Sequence, residues 1–523
     1  MQLSGAAKKV FSGSALRVCN LLAAVVVSFL LIPFVVHSLG DRLYGFWSLA
    51  ATFVGYYGLL DLGLSAAVSQ YVCVAIGQND DVECRKIFNT AFRIQSTLGA
   101  VVLLGTIVLA AASPWLGHDP AEASLFWKVI LVLGVNMALV FPMKVYTGVL
   151  DATLRFDIQT MLDFLGLMLR TILTVVAIRA GWGVLGLAWI TLLASLPVMA
   201  LQFFYARREA SWARLERATL DRKKMRSLFS YSVFTAISNM ANTLRFSLDA
   251  LVVTVFVGLA AVTHYKVAAV FSRYYIGIVI ALMWPIQPVL SRLYGQGDRQ
   301  KLQNLFSFAT KISTCISVLI CFGLIAWGKP FIIRWMGPAY TDAYLPLILL
   351  SLAVFLDVCQ SPSSVLLNST FHHRSYAYMN LAEGLINLLA SLLLARPLGI
   401  VGVALGTLIG AFFIRVLVQP WQTSKASGIA LGAYIKVLGG ALARSAILIG
   451  ASIVLAAWGL KPNYPYIVAS AGFAAAVYLA ASLWVVFSQA ERNQLLSMFA
   501  KWLPKQWTEP GGVPVVDGEG TST

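Results

Sequence analysis

The sequence predicts an all-α polytopic membrane protein. About fourteen transmembrane helices form two six-helix lobes related by a pseudo-twofold axis along the membrane normal, and a C-terminal helix pair follows. Three observations lead there. Apolar runs of helix-spanning length recur along nearly the whole chain. Only 12% of residues are charged, against roughly 25% in soluble domains. The basic residues gather on alternate connections between the runs. In hydrocarbon a backbone must satisfy its own hydrogen bonds, which leaves helices or closed barrels. These runs are too long and too continuously apolar for barrel strands of about ten alternating residues.

The runs fall near 14–38, 45–70, 89–113, 125–147, 158–179, 183–205, 229–257, 264–289, 305–328, 343–366, 376–395, 399–419, 438–459 and 464–487. The first follows Lys8 and Lys9, as in a signal peptide, but it exceeds the length of a signal core and no small-residue cleavage site follows. It reads as the first span. With an even count both termini share a side. Placing them in the cytoplasm puts Arg85, Lys86, Lys144, Arg155, Arg299 and the cluster Arg207 to Arg226 inside. Arg42, Lys128, Arg179, Lys329, Arg334, Arg396 and Lys461 are then outside or at span ends. The bias is roughly three to one, in the sense of the positive-inside rule. It accounts for most of the net charge of +17 and leaves no need for nucleic acid as a partner.

The longest cytoplasmic connection divides the chain. Residues 1–205 form the N-terminal six-helix lobe, 206–228 a basic linker and 229–420 the C-terminal lobe. An additional pair covers 438–487, and 488–523 is a cytoplasmic tail whose Gly- and Ser/Thr-containing end is expected to be disordered. The linker reads equally as an amphipathic helix on the anionic leaflet or as a solvated loop. A repeat supports the division. Leu39-Gly40 with Tyr44, and later Gly77-Gln78-Asn79-Asp80, is echoed by Val257-Gly258 with Tyr265 and Gly295-Gln296-Gly297-Asp298. Both halves start inside, as in parallel-repeat transporters. The six cysteines form no C-x-x-C pair and read as reduced, packed thiols. His372-His373 lacks further ligands and no P-loop is present, so neither a metal site nor ATP use is expected.

The segment Leu39-Gly40-Asp41-x-x-Tyr44-Gly45-Phe46-Trp47-Ser48-Leu49, with Gly58-Leu59-Leu60-Asp61-Leu62-Gly63-Leu64 and later Ser291-Arg292-Leu293-Tyr294, resembles the bacterial polysaccharide transporter family. These are the lipid-linked oligosaccharide flippases of O-antigen, capsule and exopolysaccharide pathways. They belong to the multidrug/oligosaccharidyl-lipid/polysaccharide exporter superfamily, with the lipid II flippases and the multidrug and toxin extrusion transporters. The resemblance covers roughly the first 420 residues. It implies two lobes around a central cavity that alternates between the membrane faces, with the first, second, seventh and eighth helices lining it. The chain departs from the lipid II flippases in lacking their arginine-rich first-helix opening.

The chemistry must lie in ionisable residues at membrane depth, each costing about 2.5–3.5 kcal/mol at a helix centre and so needing a partner or a wet cavity. Arg17, Arg245 and Arg273 are candidates for a cationic cavity that holds a lipid pyrophosphate through guanidinium forks. Charge pairing is the competing reading, because Arg245 and Asp249 lie four apart on one face, and Asp163 and Arg170 seven apart. Asp61, Asp249, Asp357 and Glu383 are candidates for proton or sodium coupling, with structural pairing as the alternative for each. Arg93, Lys311, Arg415 and Arg444 lie near span ends and read as snorkelling side chains. Tyr56, Tyr57, Tyr274 and Tyr275 could stack on sugars, or pack.

The function that follows is a flippase moving an undecaprenyl-pyrophosphate-linked oligosaccharide outward across the bacterial inner membrane by alternating access. It needs no cofactor beyond an optional proton or sodium gradient. Its partners would be the lipid-linked substrate, membrane lipids, and the polymerase and chain-length proteins of the same pathway. One alternative is a cation-coupled multidrug antiporter, against which the arginines weigh. Another is a membrane glycosyltransferase or polysaccharide polymerase, against which the short outer loops weigh.

Overall fold

The computed structural model describes residues 2–61, 78–111, 120–153, 155–216, 248–283, 296–369, 373–457 and 463–500, with isolated positions between 68 and 76 and between 286 and 294. All regular structure among the described residues is helical. Ten of the described helices are long and apolar enough to cross a membrane.

The first lobe runs α1 (Gln2–Leu39), α2 (Asp41–Tyr57, closed by a 3-10 turn Gly58–Asp61), α3 (Asp81–Ala111), α4 (Pro120–Ala152), α5 (Phe156–Arg179) and α6 (Gly183–Glu209). Asp80 caps α3 by accepting from the Glu83 N–H at 2.8 Å. Small residues let α3 and α4 approach closely. A Cβ on Gly99 would stand 2.6 Å from the Ala138 carbonyl oxygen, and one on Gly134 only 2.2 Å from Thr106 Oγ1. The opening of the basic linker folds back on the lobe. Trp212 and Ala213 are buried, and Asn89 donates to the Arg214 carbonyl and accepts from the Glu216 N–H. Arg207, Arg208, Arg214 and Glu216 of this stretch remain exposed. Residues 217–228 lie outside the described set.

The second lobe contains α7 (248–256), α8 (Leu259–Met283), α9 (Arg299–Trp335), α10 (Tyr344–Val358), α11 (Ser361–Ser369), α12 (His373–Ala411), a π turn (Phe412–Val418) and α13 (Gln419–Ser427). The tenth apolar run is thus broken at Cys359–Gln360 into α10 and α11. The eleventh and twelfth runs are the two arms of α12, which doubles back at Gly399 (φ 60°, ψ −137°). That left-handed conformation is open to glycine. A ladder of glycines seals the hairpin: Gly402 lies against Leu394, Gly406 against Ser391, and Gly410 against Glu383 and Asn387. Then come α14 (Leu431–Leu455), α15 (Tyr464–Val485) and α16 (Gln489–Ala500). The α14–α15 pair packs on α9, where Trp327 donates to Ser470 at 2.9 Å and Tyr478 to the Cys315 carbonyl at 2.9 Å.

The lobes meet where α1 and α2 pack against α8. Pro33 in α1 has no N–H, so the Phe29 carbonyl loses its partner one turn on. Trp335 of the second lobe supplies the missing donor at 2.6 Å. Its ring closes an aromatic nest around Phe29 with Phe271 and Phe331, at centroid distances of 5.1–5.7 Å. Beside it, Gly45 of α2 lies so near α8 that a Cβ would stand 1.9 Å from the Leu259 carbonyl oxygen. The Tyr44-Gly45 pair read from the sequence is therefore a point of contact between lobes.

Candidate functional site

Of the three arginines expected in a cationic cavity, the structure describes the side chain of Arg273 alone. Arg245 lies outside the described residues. Arg17 is placed only as helical backbone in α1. Arg273 stands halfway down α8 and is exposed. Two further cations share its field, Arg170 of α5 in the other lobe and Lys266 two turns away on α8. Arg170 is exposed and Lys266 half-buried. Arg170 lines a cavity of about 400 Å³ between α4, α5 and α6, together with Asp163, Lys144, Asn136, Ser195 and Gln202. The seven-residue spacing of Asp163 and Arg170 puts both on one wall of that cavity. Lys266 was legible as a neighbour of Arg273, because seven residues is two helical turns. That Arg170 belongs with them was not, because it comes from the other lobe.

The four candidate carboxylates take different positions. Asp61 ends the 3-10 turn after α2, and its side chain lies outside the description. Asp249 is buried at 6% exposure in the second lobe. Its carboxylate accepts from Tyr265 Oη at 2.5 Å, Thr407 Oγ1 at 3.3 Å and Asn387 Nδ2 at 3.4 Å. Ser391 Oγ and the Val403 carbonyl adjoin, since Ser391 bonds both Asn387 Oδ1 and Val403 O. Asp249, Asn387, Ser391, Thr407 and Val403 thus bring side-chain and main-chain oxygens together from α7 and both arms of α12. Among the described residues no lysine or arginine bonds this carboxylate, and Lys266 is its cationic neighbour. Oxygen ligands of this type suit a hard cation or a proton.

Asp357 and Glu383 meet at Arg415. The guanidinium is fully buried, 3.2 Å from Asp357 Oδ1 and 2.7 Å from Glu383 Oε2. It donates to Gln419 Oε1 and Asn380 Oδ1, each at 2.7 Å. Arg415 therefore does not snorkel. It sits in the π turn, and the backbone there explains how it is held. The Gln419 N–H bonds Ile414 O instead of Arg415 O. Residue 420 is proline and offers no N–H. Gln360 Nε2 reaches across from the α10–α11 break to take the Arg415 carbonyl at 2.5 Å. Single-turn π segments of this kind recur at functional sites.

Several other sequence candidates have partners within the protein. Tyr275 is buried and donates to the Ser317 carbonyl at 2.7 Å. Tyr57 accepts from Thr106 at 3.1 Å. Lys311 pairs with Glu491 at 2.8 Å and Arg93 reaches the Glu216 carbonyl at 3.4 Å. Sequence reasoning passed over Asp41, which crosses between lobes at the end of the helices. Its carboxylate accepts from Tyr340 and lies 3.5 Å from His264 Nε2, while its carbonyl accepts from Thr263 at 2.6 Å. Asp342 completes the cluster on His264 Nδ1 at 2.7 Å. His37 adds a bond to the Met336 carbonyl at 3.0 Å.

Residues 39–345 match the model of a family described as polysaccharide biosynthesis protein. The chain belongs to that family. The match begins at the Leu39-Gly40-Asp41 corner and takes in α2 and α8, two of the elements through which the lobes meet. Among individual relatives, the uncharacterized membrane protein EpsK of Bacillus subtilis is 20% identical over 492 residues, covering 92% of this chain and 96% of EpsK. The inner membrane protein YghQ of Escherichia coli is 25% identical over 286 residues, 53% of this chain and 78% of YghQ. In fold the family member resembles an inward-facing multidrug resistance MATE family transporter of the MOP superfamily (TM-score 0.62, 16% identity, 77% of this chain and 99% of that one). It also resembles a MOP superfamily transporter from Pyrococcus furiosus, reported with a binding pocket of reverse polarity (TM-score 0.61, 15% identity, 82% and 96%). The protein is a multi-pass membrane protein of the polysaccharide biosynthesis family, with a two-lobed fold that resembles those transporters.

Proposed function

We propose that this protein is a flippase that carries a lipid-linked oligosaccharide outward across the bacterial inner membrane by alternating access, with both termini in the cytoplasm. The observation that carries this reading is the sign of the charge between the lobes. Arg170, Lys266 and Arg273 share one field, drawn from both lobes. A pyrophosphate needs such a field, and guanidinium forks hold it by paired charge-assisted bonds. A cationic drug would be repelled by it. The polar cavity beside Arg170 offers Asn136, Ser195 and Gln202 to sugar hydroxyls. Arg17 and Arg245 remain proposed members of the same cationic wall. Closure of the outer end by Asp41, His264 and Tyr340 and opening of the lobes there would alternate during transport.

Coupling is proposed at Asp249, where a carboxylate lies among neutral oxygens that could exchange a proton or sodium. Asp357 and Glu383 are assigned instead to holding Arg415. Membership of the polysaccharide biosynthesis family supports a lipid-linked substrate and a place beside polymerase and chain-length proteins.

The test is export. Arg273→Ala, Lys266→Ala and Arg170→Ala, at matched membrane levels, should each depress polysaccharide export, and Arg273→Lys should restore only part of it. Unchanged export in all three sinks the cationic-cavity reading. Protection of cells against cationic dyes by the wild-type protein, without effect on polysaccharide, would turn the reading toward the antiporter.

A further inference from the structure

A second cavity, of about 340 Å³, lies on the far side of the C-terminal lobe. It is lined by Lys311 of α9, by Lys436, Gly440 and Arg444 of α14, and by Val486 at the end of α15. Its lining comes from α9, α14 and the end of α15, and it shares no residue with the cavity beside Arg170. Small residues keep it open. A Cβ on Gly440 would have nothing within 4 Å, and Ala433 and Ala441 flank it.

The charge is unbalanced. Glu491 of α16 holds Lys311, whose Nζ lies 2.8 Å from both carboxylate oxygens. Arg444 Nη1 donates to a neutral acceptor, the Val485 carbonyl at 3.3 Å. Neither Lys436 nor Arg444 has an ion-pair partner among the described residues. Three cations against one carboxylate leave an excess of two positive charges. Beside the cavity Trp484 is 70% exposed, with the Arg492 guanidinium 4.0 Å from its ring centroid. An amphipathic ring under a cation is the arrangement of a membrane-interface anchor. On α14, Ile447 is one turn beyond Arg444 on the same face and 73% exposed, an apolar surface next to the cations.

We infer that this cavity binds the phosphodiester headgroup of an anionic phospholipid of the leaflet to which α16 is adjacent. Lys436 and Arg444 hold the phosphate, and the acyl chains lie along α14. Basic pockets between membrane helices take acidic headgroups by this chemistry. A zwitterionic headgroup brings its own ammonium, which the excess positive charge disfavours. Bound there, the lipid bridges the second lobe at α9 to the appended pair.

The experiment is native mass spectrometry of the full-length protein in detergent, titrated with phosphatidylglycerol and, separately, with phosphatidylcholine. Phosphatidylglycerol should be retained preferentially. Lys436→Gln and Arg444→Gln should each weaken it about fivefold, as expected for one Lys or Arg at an acidic surface. Glu491→Gln should act in the opposite direction and raise retention, because Lys311 is released to the lipid. The opposed sign separates a site from general damage, and unchanged melting temperatures of Lys436→Gln and Arg444→Gln confirm it. Equal retention of the two lipids overturns the inference, as does retention indifferent to all three substitutions. Complete displacement of phosphatidylglycerol by equimolar undecaprenyl phosphate also overturns it, in favour of a waiting site for the transported lipid's carrier.

Discussion

Two carboxylate clusters lie within the second lobe, both resting on the first arm of α12, and they differ in one component. Glu383 and Asp357 close on Arg415, a fixed cation at zero exposure. Asp249 closes on a tyrosine, a threonine and an asparagine. Asn387 is one turn beyond Glu383, so a single helix face serves both. A carboxylate locked to guanidinium keeps its charge and its place through any cycle. A carboxylate held by neutral donors can trade its charge for a proton or sodium and be re-bonded by the same groups. The difference underlies the proposal of cohesion for one cluster and exchange for the other, although their residues look alike in the sequence.

The largest effect is expected where the comparison is starkest. Arg415→Met leaves two carboxylates facing each other in a buried site and should cost about 3–5 kcal/mol of stability, the usual penalty for breaking a buried ion pair. A thermal melt in detergent reads it as loss of folded protein. Neutralising the whole cluster, with Asp357→Asn and Glu383→Gln added, should recover much of that loss, because the desolvated charges go together. If the triple variant melts as low as Arg415→Met, the cluster does more than hold the lobe together.

Asp249→Asn should do the reverse. An amide can still accept from Tyr265, so the melt should barely move, while dependence of export on the ion gradient should fall by about 5- to 150-fold, the range of a coupling free energy of about 1–3 kcal/mol. Export measured with and without a sodium or proton ionophore checks it. A variant that melts early but keeps its gradient dependence would exchange the roles assigned to the two clusters. Thr407→Val probes the same site more gently. It removes one hydrogen bond to Asp249, worth about 1 kcal/mol, and should shift the ion concentration for half-maximal export about fivefold.

How much of this could be read from the sequence depends on separation along the chain. The apolar runs and their alternating basic connections are local signals, and the two-lobed helical fold follows from them. The hairpin in α12 was legible from Pro397 and Gly399, which punctuate a run too long for one span. The glycines at 402, 406 and 410 were legible too, as a small-residue ladder. Asp249 stood out as a charge at membrane depth. Its partners Asn387 and Thr407 come from 138 and 158 residues away, and nothing local ties them to it. Arg415 was misread as a snorkelling side chain because distance from a span end was the only measure available. The π turn and the reach of Gln360 that hold it inside have no signature in composition. The Asp41–His264–Asp342 bridge was missed because each residue alone looks like an ordinary loop or helix-end charge.

The ion pair at the edge of the molecule sets the lower bound of the comparison. Glu491 belongs to a Ser-x-x-Glu capping box: its carboxylate accepts from the Ser488 N–H at 2.8 Å and from Lys311 Nζ at 2.8 Å. Burial opposes its charge, but the bonds from Lys311 and Ser488 outweigh burial and hold the carboxyl below its usual range. A lowered carboxylate contributes stability above its unfolded pKa of about 4.3 and loses that contribution as pH falls through the folded value. Docking of α16 on α9 should therefore be constant from neutral pH down to about 5 and weaken below that. The pair is partly solvated, so the loss should be no more than about 1 kcal/mol. Protease cleavage between α15 and α16, followed across pH in wild type and Glu491→Gln, reads it directly. The variant should be cleaved slightly faster at neutral pH, with the difference vanishing in acid. A Glu491 effect as large as that of Arg415 would mean that partner type and burial do not set the ranking, and the contrast between the two inner clusters would have to be explained by something other than the fixed cation.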